Sequence, residues 1–166
     1  MKIVINAAHT KFGKGTGAVG YIVESKETRK IAFELMKLLT ETNHEVIPCI
    51  FDKSTNNLKE AVDLANNEQA DLFLSIHLNA GGGTGCEAFT YKGAKHQEAT
   101  KMLKNLENLG FKNRGVKDGT QFYVVKNTKM KAILIEIFFL DTKKDVELYN
   151  KVGVERIAQA IFEAIK

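Results

Sequence analysis

The sequence predicts an α/β fold: a twisted, mostly parallel sheet of about six strands with helices on both faces, in a single domain over residues 1–166. Short apolar segments alternate with longer segments of helical periodicity, which is typical of parallel sheets with crossover helices. Residues 71–77 are apolar on both faces, as expected for a strand buried within such a sheet. A chain of 166 residues with 44% hydrophobic content can bury roughly 70% of its unfolded surface, so it needs no disulfide or structural metal to fold.

Five elements are predicted in the first half of the chain. The strands are short runs rich in Ile, Val, Leu and Phe. The longer helix carries Ile31, Leu35 and Leu38 on one face, at the spacing of an amphipathic helix. In chain order these elements are strand 2–7, helix 21–40, strand 45–51, helix 57–68 and strand 71–77.

Five more elements are predicted in the second half. The segment CEAFTY mixes polar and apolar residues, which indicates a strand nearer the edge of the sheet. Ile157, Ile161 and Ile165 form an apolar stripe along the last helix. The expected elements are strand 86–91, helix 94–109, strand 121–125, strand 132–138 and helix 146–165.

Charge and cysteine content narrow the possible partners. A net charge of +4 suits an anionic polymer, but the lysines are dispersed and form no basic stripe, so we expect no nucleic-acid partner. Cys49 and Cys86 form no C-x-x-C pair and are expected to be buried free thiols, which suits a reducing compartment. The first ten residues lack the apolar length of a signal peptide, and no later segment reaches membrane-spanning length. We therefore expect synthesis in the cytoplasm without a signal peptide, or release from a longer precursor, and no membrane insertion.

Three predicted strands end in a residue that can bind a metal or move a proton. His9 follows the first strand, His77 ends the strand at 71–77, and Glu136 lies in the strand at 132–138. In open α/β sheets the ligand crevice lies outside the C-terminal ends of the strands. If these three strands are parallel neighbours, their two imidazoles and one carboxylate converge in one crevice.

Glu24 is the expected third metal ligand beside His9 and His77. Catalytic zinc usually takes three protein ligands plus water, and sets of histidine and glutamate are common among hydrolytic enzymes. Glu24 lies near the start of helix 21–40, on the face continued by Thr28 and Ile31, so its carboxylate points toward the core. An unpaired charge there is costly, and the helix N-terminus together with a bound cation would offset it.

Glu136 has a different predicted role because it interrupts a run of apolar residues. A carboxylate in such a strand has a pKa raised by desolvation, or it lies beside a cation. Either condition suits a general base that acts on a metal-bound water. The simpler alternatives are that the histidines are structural and that Glu136 pairs with a helix lysine, whereas His44 and His96 are expected to be solvated.

Two other interpretations fit the sequence less well. GTGAVG at residues 15–20 matches the dinucleotide-binding pattern G-x-G-x-x-G, with Asp52 as a possible ribose ligand. However, HTKFGK separates the strand from the first glycine of the pattern. Asp52 also lies too far along the chain, because a dinucleotide fold places the acidic residue about 20 residues after the glycines. The glycines are better explained by a loop around the site. Glu24, Glu87 and Glu136 could provide a glycosidase carboxylate pair, but this leaves both strand-end histidines without a role.

Taken in order, His9, Glu24, the element S-I-H-L-N (Ser75 to Asn79) and L-I-E-I-F-F around Glu136 resemble the zinc-dependent N-acetylmuramoyl-L-alanine amidases, especially endolysin and autolysin catalytic domains. The resemblance spans essentially the whole chain. It implies Zn²⁺ held by His9, Glu24 and His77, with Glu136 as the catalytic glutamate. It also implies bacterial peptidoglycan as substrate, cut between the lactyl group and L-alanine, with Asn79 and Arg114 near the substrate.

The chain departs from the family pattern at two positions. N-A-A-H-T-K replaces the usual D-P-G-H-G-G, so the loop after His9 is expected to differ in shape. Phe138 replaces a glycine after Glu136, and its bulk is expected to narrow the cleft. The missing signal segment is expected of a phage or prophage endolysin, and a truncated autolysin would look the same. Without a separate wall-binding domain, the chain is expected either to be one module of a longer protein or to rely on its own cleft and positive charge. The alternatives are a zinc peptidase acting on cross-bridges and a non-catalytic wall-binding module.

Overall fold

A six-stranded sheet runs through the molecule in the computed structural model, which describes residues 1–166. The mostly parallel α/β architecture predicted from the sequence is confirmed. The strands are β1 (Lys2–Ala7), β2 (Glu45–Cys49), β3 (Leu72–Asn79), β4 (Cys86–Thr90), β5 (Asn113–Asp118) and β6 (Lys131–Phe139), in the spatial order β2-β1-β3-β6-β4-β5. The helices are α1 (Glu24–Thr40), α2 (Asn57–Asn67), α3 (Gln97–Asn108), α4 (Tyr123–Asn127), α5 (Lys143–Val152) and α6 (Val154–Ile165).

Strand direction brings several chain segments to one edge of the sheet. β1, β3 and β6 are parallel neighbours, with β2 parallel on the outer side of β1. β4 runs antiparallel to β6, and β5 runs parallel to β4. The C-terminal ends of β1, β2, β3 and β6 therefore lie at the same edge as the N-terminal ends of β4 and β5. We call this edge the site edge.

Helices cover both faces of the sheet, because each face carries its own apolar core. On one face α1, α3, α5 and α6 pack over residues such as Ile5, Leu74 and Ile135. On the other face α2 and α4 pack over a smaller core that includes Phe73 and Leu134. Cys49 and Cys86 are buried free thiols, as predicted. None of the helices is both long and apolar enough to cross a lipid bilayer.

The sequence prediction was wrong in the segment before β6. Residues 121–125 were expected to form a strand, but Tyr123–Asn127 form the short helix α4, in which Val124 and Val125 are buried against the smaller core. Phe122, just before it, packs edge-on against Phe89 at 4.8 Å between ring centroids. The strand that the sequence prediction missed is β5, the polar segment Asn113–Asp118. It lies half-buried at the edge of the sheet, where a strand needs no apolar run.

The predicted last helix is two helices. α5 begins at Lys143, and Gly153 separates it from α6. Gly153 has φ +86, a left-handed conformation that ends a helix and that glycine adopts without a steric penalty. The stripe of Ile157, Ile161 and Ile165 is buried in the larger core, as expected.

Candidate metal centre

Three side chains from β3, α1 and the loop after β1 meet at the site edge. His9 Nε2 lies 3.1 Å from Glu24 Oε1, and His77 Nδ1 lies 3.2 Å from the same oxygen. The candidate ligand atoms of the three residues all lie within 4.8 Å of one another. The structure thus brings together the three residues that the sequence singled out, and their role as zinc ligands stays a prediction.

Glu24 is the buried anion of this cluster. It is the first residue of α1, it is 3% exposed, and it has no lysine or arginine within ion-pair distance. Its Oε1 accepts a hydrogen bond from the Leu78 amide (3.2 Å), and its Oε2 accepts one from the Ala18 amide (2.9 Å). Burial raises the pKa of Glu24, but hydrogen bonds from His77 and His9 outweigh burial and hold the pKa well below its usual range. The carboxylate is therefore charged and suited to a cation.

His77 supplies a neutral imidazole. Burial lowers the pKa of His77, and the neighbouring Glu24 offsets only part of that effect. Neutral imidazole is the form that binds a metal. The His9 and His77 rings meet edge to face, with centroids 5.1 Å apart and an interplanar angle of 79°, so the two rings approach Glu24 from different directions. Two imidazole nitrogens and one carboxylate oxygen form a donor set that fits catalytic zinc.

The loop after β1 is shaped around these ligands. His9 has φ 67, an uncommon conformation for a residue with a side chain, and Arg29 donates a hydrogen bond to its carbonyl at 3.2 Å. Gly17 has φ +79, and a Cβ added there would lie 2.6 Å from Glu24 Oε2 and 2.7 Å from the His9 ring. This glycine of the GTGAVG segment, Gly17, therefore makes room for the cluster of His9, Glu24 and His77. Asp52, the other half of the dinucleotide alternative, lies 3.7 Å from the guanidinium of Arg29.

Glu136 lies beside this cluster on β6, in register with His77 on β3. It is 9% exposed, and its Oε2 is buried without a hydrogen-bond partner. Burial raises the pKa of Glu136 to about 8, with further contributions from the negative charges of Glu24 and Glu87. A carboxyl group with this pKa can take up and release a proton near neutral pH, as general acid–base chemistry requires.

Glu87, which the sequence analysis considered only for a glycosidase carboxylate pair, is a buried member of the site. It is 4% exposed and pairs across β4 and β6 with Glu136. Burial raises the pKa of Glu87, but hydrogen bonds from Arg114 and Lys117 outweigh burial and lower it. Arg114 Nε donates to Oε2 at 2.7 Å, Lys117 also donates to Oε2, and Asn79 Nδ2 donates to Oε1 at 2.7 Å.

Asn79 and Arg114 are thus brought together around Glu87, at the β4–β5 end of the site edge. The Arg114 guanidinium also lies over the Phe139 ring, 5.1 Å from its centroid. The signal that could have revealed this cluster is the pair of basic residues in 113–118. Using that signal requires knowing that this polar segment is a strand and that β4 is antiparallel to β6.

The expectation that Phe138 narrows the cleft was wrong. The register between β3 and β6 shifts after His77 and Glu136, so that Asn79 pairs with Phe139. This bulge turns Phe138 into the larger core, where it is fully buried and stacks between Phe111 and Tyr149. Phe139 takes the position beside Arg114 instead.

The remaining residues considered from the sequence lie outside the cluster. His44 and His96 both keep part of their surface exposed; His44 Nδ1 is 3.3 Å from the amino terminus, and His96 precedes α3 without a side-chain capping bond. Burial raises the pKa of Cys86 to about 12, so this thiol is not a nucleophile. A glycosidase pair is also disfavoured, because Glu24 contacts two histidines and Glu87 two cations, which leaves only Glu136 free to exchange a proton.

Comparison with known families gives one match over nearly the whole chain. The family model described as N-acetylmuramoyl-L-alanine amidase matches residues 3–166. Among similar sequences, an uncharacterized 38.4 kDa protein of Clostridium perfringens is 37% identical over 180 residues, covering 99% of this chain and 51% of its own length. The sporulation-specific N-acetylmuramoyl-L-alanine amidase of Bacillus subtilis is 32% identical over 97% of this chain and 64% of its own length. The chain therefore spans about half to two thirds of the length of these relatives.

Solved structures show the same fold. The catalytic domain of the CD27L endolysin, which targets Clostridia difficile, is 32% identical with a TM-score of 0.89, covering 99% of this chain and 96% of that one. The catalytic domain of CwlV, an N-acetylmuramoyl-L-alanine amidase from Bacillus (Paenibacillus) polymyxa, is 30% identical with a TM-score of 0.87, covering 99% and 95%.

Proposed function

The chain belongs to the N-acetylmuramoyl-L-alanine amidase family, and from this premise we propose that it hydrolyses the amide bond between N-acetylmuramoyl groups and L-alanine in peptidoglycan. One observation carries the proposal. A His9–Glu24–His77 donor set lies beside Glu136, a carboxyl group buried without a partner and in register with His77. A binding module has no need of such an arrangement, whereas a hydrolase needs both its cation site and its proton acceptor.

Zn²⁺ is the proposed cofactor, with His9 Nε2, His77 Nδ1 and the Glu24 carboxylate as its ligands. The residues fit the ion because two imidazoles and one charged carboxylate converge, and no lysine or arginine competes for Glu24. Zinc in such a site acts as a Lewis acid on a carbonyl oxygen and lowers the pKa of water toward neutrality.

Glu136 is the proposed general base and acid. Its carboxyl group takes the proton of the attacking water and later delivers a proton to the leaving alanine nitrogen, so that the amide C–N bond breaks into a carboxylate and an amine. Positive charge added beside Glu136 lowers its pKa from the value of about 8 and makes the carboxylate available as a base.

Asn79 and Arg114 are the proposed substrate contacts, on the peptide side of the bond. Arg114 uses Nε for Glu87 and lies 3.5 Å from the Thr84 carbonyl through Nη1, which leaves Nη2 without a protein acceptor. Lys117 makes one ion pair with Glu87, so Arg114 and Lys117 together carry one more positive charge than Glu87 neutralises. Such a subsite suits the carboxylate of a stem peptide.

We place this domain with endolysin catalytic domains. The support is the 0.89 TM-score with the CD27L endolysin domain and a 31% identity to the endolysin of Bacillus phage SPP1 over 84% of this chain. Bacterial amidases of sporulation and the cell wall are similar as well. The proposal therefore has two levels: amidase activity, which all these relatives share by name, and bacteriolysis, which is the more specific biological role.

The test is a product analysis of purified peptidoglycan digested with the protein, with and without a chelator. We expect new N-terminal alanine, no new reducing sugar ends, loss of products with the chelator and recovery with added zinc. New amino groups on other residues would instead show a cross-bridge peptidase, and reducing ends would show a glycosidase. Glu136→Ala should keep bound zinc and lose turnover, and a variant that retains most activity would remove Glu136 from the mechanism.

A further inference from the structure

A cavity of about 680 Å³ lies at the β1–β2 end of the site edge, between the segments that follow β1 and β2. One wall is the loop 12–15 and the other is formed by Lys53, Ser54, Thr55 and Asn57; we call the space between them the Phe12 cleft. Its volume is within the range of roughly 300–1,000 Å³ typical of small-molecule sites. The proposed mechanism uses none of these residues.

The walls of the Phe12 cleft are fixed to each other and to the metal ligands. The amides of Lys11 and Phe12 both donate to the Asp52 carbonyl, at 3.1 and 2.9 Å, and the Thr10 amide donates to the Gly15 carbonyl at 3.1 Å. Arg29 donates both to the Phe51 carbonyl at 2.8 Å and to the His9 carbonyl. The loop that forms one wall therefore starts three residues after His9 and ends two residues before Gly17, where an added Cβ would clash with both His9 and Glu24.

The chemistry of the lining favours a sugar over an apolar segment. Phe12 is the only hydrophobic residue in the lining, and it is 50% exposed. An exposed ring among hydroxyl, amide and ammonium groups suits a ligand with one apolar face and several hydroxyls, which is the character of a pyranose ring. Thr55 and Asn57 have no side-chain hydrogen bond within the protein, so their polar groups are available for such a ligand.

The position of the cleft relative to the peptide subsite indicates which part of the substrate it receives. The Phe12 cleft follows β1 and β2, whereas Asn79, Glu87 and Arg114 lie toward β4 and β5, with the metal centre between them. The scissile amide has two arms, a peptide and a sugar strand. If the peptide arm extends toward Arg114, the strand extends toward the Phe12 cleft.

The charge of the cleft matches what the reaction leaves on that strand. Lys14 and Lys53 line the cleft, and no carboxylate lies within ion-pair distance of either. Hydrolysis of each muramoyl–alanine amide replaces a neutral group with a lactyl carboxylate and releases an amine. A strand that has already been cut therefore carries one negative charge at every stripped muramic residue, and neighbouring uncut amides lie on the same strand.

We propose that the Phe12 cleft is a subsite for the glycan strand that prefers strands already stripped of peptides, with Phe12 packing on a sugar ring and Lys14 and Lys53 pairing with lactyl carboxylates. This inference rests on the proposed amidase function. The consequence is that the protein continues along a strand it has begun to strip, because its own product binds next to the metal centre.

Peptide-free glycan strands contain no scissile amide, so calorimetric titration of the wild-type protein with them measures this subsite alone. Phe12→Ala should weaken binding about fivefold to tenfold, given the usual contribution of one aromatic contact. The double variant Lys14→Gln/Lys53→Gln should weaken it roughly fivefold and remove most of its salt dependence. Neutral N-acetylglucosamine oligomers should bind the wild type as weakly as stripped strands bind the double variant.

Lys101→Gln/Lys129→Gln is the matched control, since both lysines are exposed and neither forms an ion pair. It should bind stripped strands like the wild type. Binding that is unchanged in Phe12→Ala would overturn the proposal. So would equal binding of stripped strands and polyphosphate, because that result would show a general anion site.

A turnover assay separates this proposal from the proposed function. On a single muramoyl peptide without further sugars, Phe12→Ala should keep kcat/KM within about twofold of wild type. On polymeric peptidoglycan, kcat/KM of this variant should fall by about the same factor as its affinity for stripped strands. An inactive protein that still binds stripped strands through Phe12 would refute the amidase proposal and leave the subsite standing. An active protein that does not bind stripped strands would support the amidase proposal and refute the proposed subsite.

Discussion

The sharpest consequence of the structure concerns the cost of ionising Glu136 in the metal-free protein. The pKa of this residue rises from 4.5 to about 8 on folding, because burial and two neighbouring carboxylates disfavour its charged form. A group whose pKa is higher in the folded state binds more protons there than in the unfolded state. Its favourable contribution is complete below the unfolded pKa and is lost as the pH rises through the folded pKa. The folded protein should therefore lose stability relative to Glu136→Gln as the pH rises.

The two pKa values give the size of the effect. Linkage converts the difference between 4.5 and about 8 into a relative loss of about 4 kcal/mol between about pH 5 and about pH 9. Most of this change in the free energy of unfolding falls below about pH 8. Above that pH the carboxyl group is ionised in both the folded and the unfolded state, so the difference between the two proteins stops changing. Glutamine has nearly the shape of the protonated acid, so the variant removes the titration and keeps the packing.

The assay is denaturant unfolding of both proteins in chelator, at several pH values, followed by far-UV circular dichroism. The quantity to plot is the difference in the free energy of unfolding, because contributions of other titrating groups cancel in it. Glu41→Gln, in the exposed turn after α1, controls for the loss of one negative charge. Parallel stability curves for the wild type and Glu136→Gln would show that Glu136 keeps an ordinary pKa and would refute the reasoning about its environment.

Three further predictions follow from the ligand cluster and its neighbours. His77→Ala should lose bound zinc, measured by metal analysis after dialysis, and unchanged zinc stoichiometry would contradict its assignment as a ligand. Gly17→Ala should weaken zinc binding as well as stability, whereas Gly82→Ala, which shares a positive φ and has nothing within 4 Å of its Cβ, should lose only the roughly 1–2 kcal/mol of backbone strain. Glu87→Gln removes a negative charge that raises the pKa of Glu136, so the lower-pH limb of the kcat/KM profile should move to lower pH. A profile that does not move would show that Glu87 acts only as a structural partner of Arg114 and Lys117.

The convergence of His9, Glu24 and His77 could be predicted from the sequence because these residues stand out locally. His9 and His77 follow apolar runs whose strand character is strong, and parallel neighbours necessarily end at one edge. Glu24 is recognisable from helical spacing alone, since a carboxylate on the core-facing side of a helix requires a partner. Each of these inferences uses residues within one element and one general rule of sheet topology.

The β4–β5 end of the site could not be predicted in the same way. The segment 113–118 is polar and half-buried, so it lacks the apolar pattern by which strands are recognised. The bulge after Glu136 depends on pairing with β3, and without it Phe138 and Phe139 would exchange their environments. Residues 121–125 carry strong strand propensity, yet packing of Val124 and Val125 on the smaller core is satisfied by one helical turn.

The reversal of β4 explains why Glu136, the proposed general base, has its unusual environment. In a fully parallel sheet the neighbour of β6 would contribute its C-terminal end to the site edge, but an antiparallel β4 contributes its N-terminal end and so places Glu87 opposite Glu136. Glu24 and Glu87 both keep low pKa values, one through imidazoles and the other through Arg114 and Lys117. Their two fixed negative charges then act together on the one carboxyl group that has no partner. A proton on Glu136 is therefore held first by burial and then by the charges around it, and a cation bound at Glu24 would favour its release.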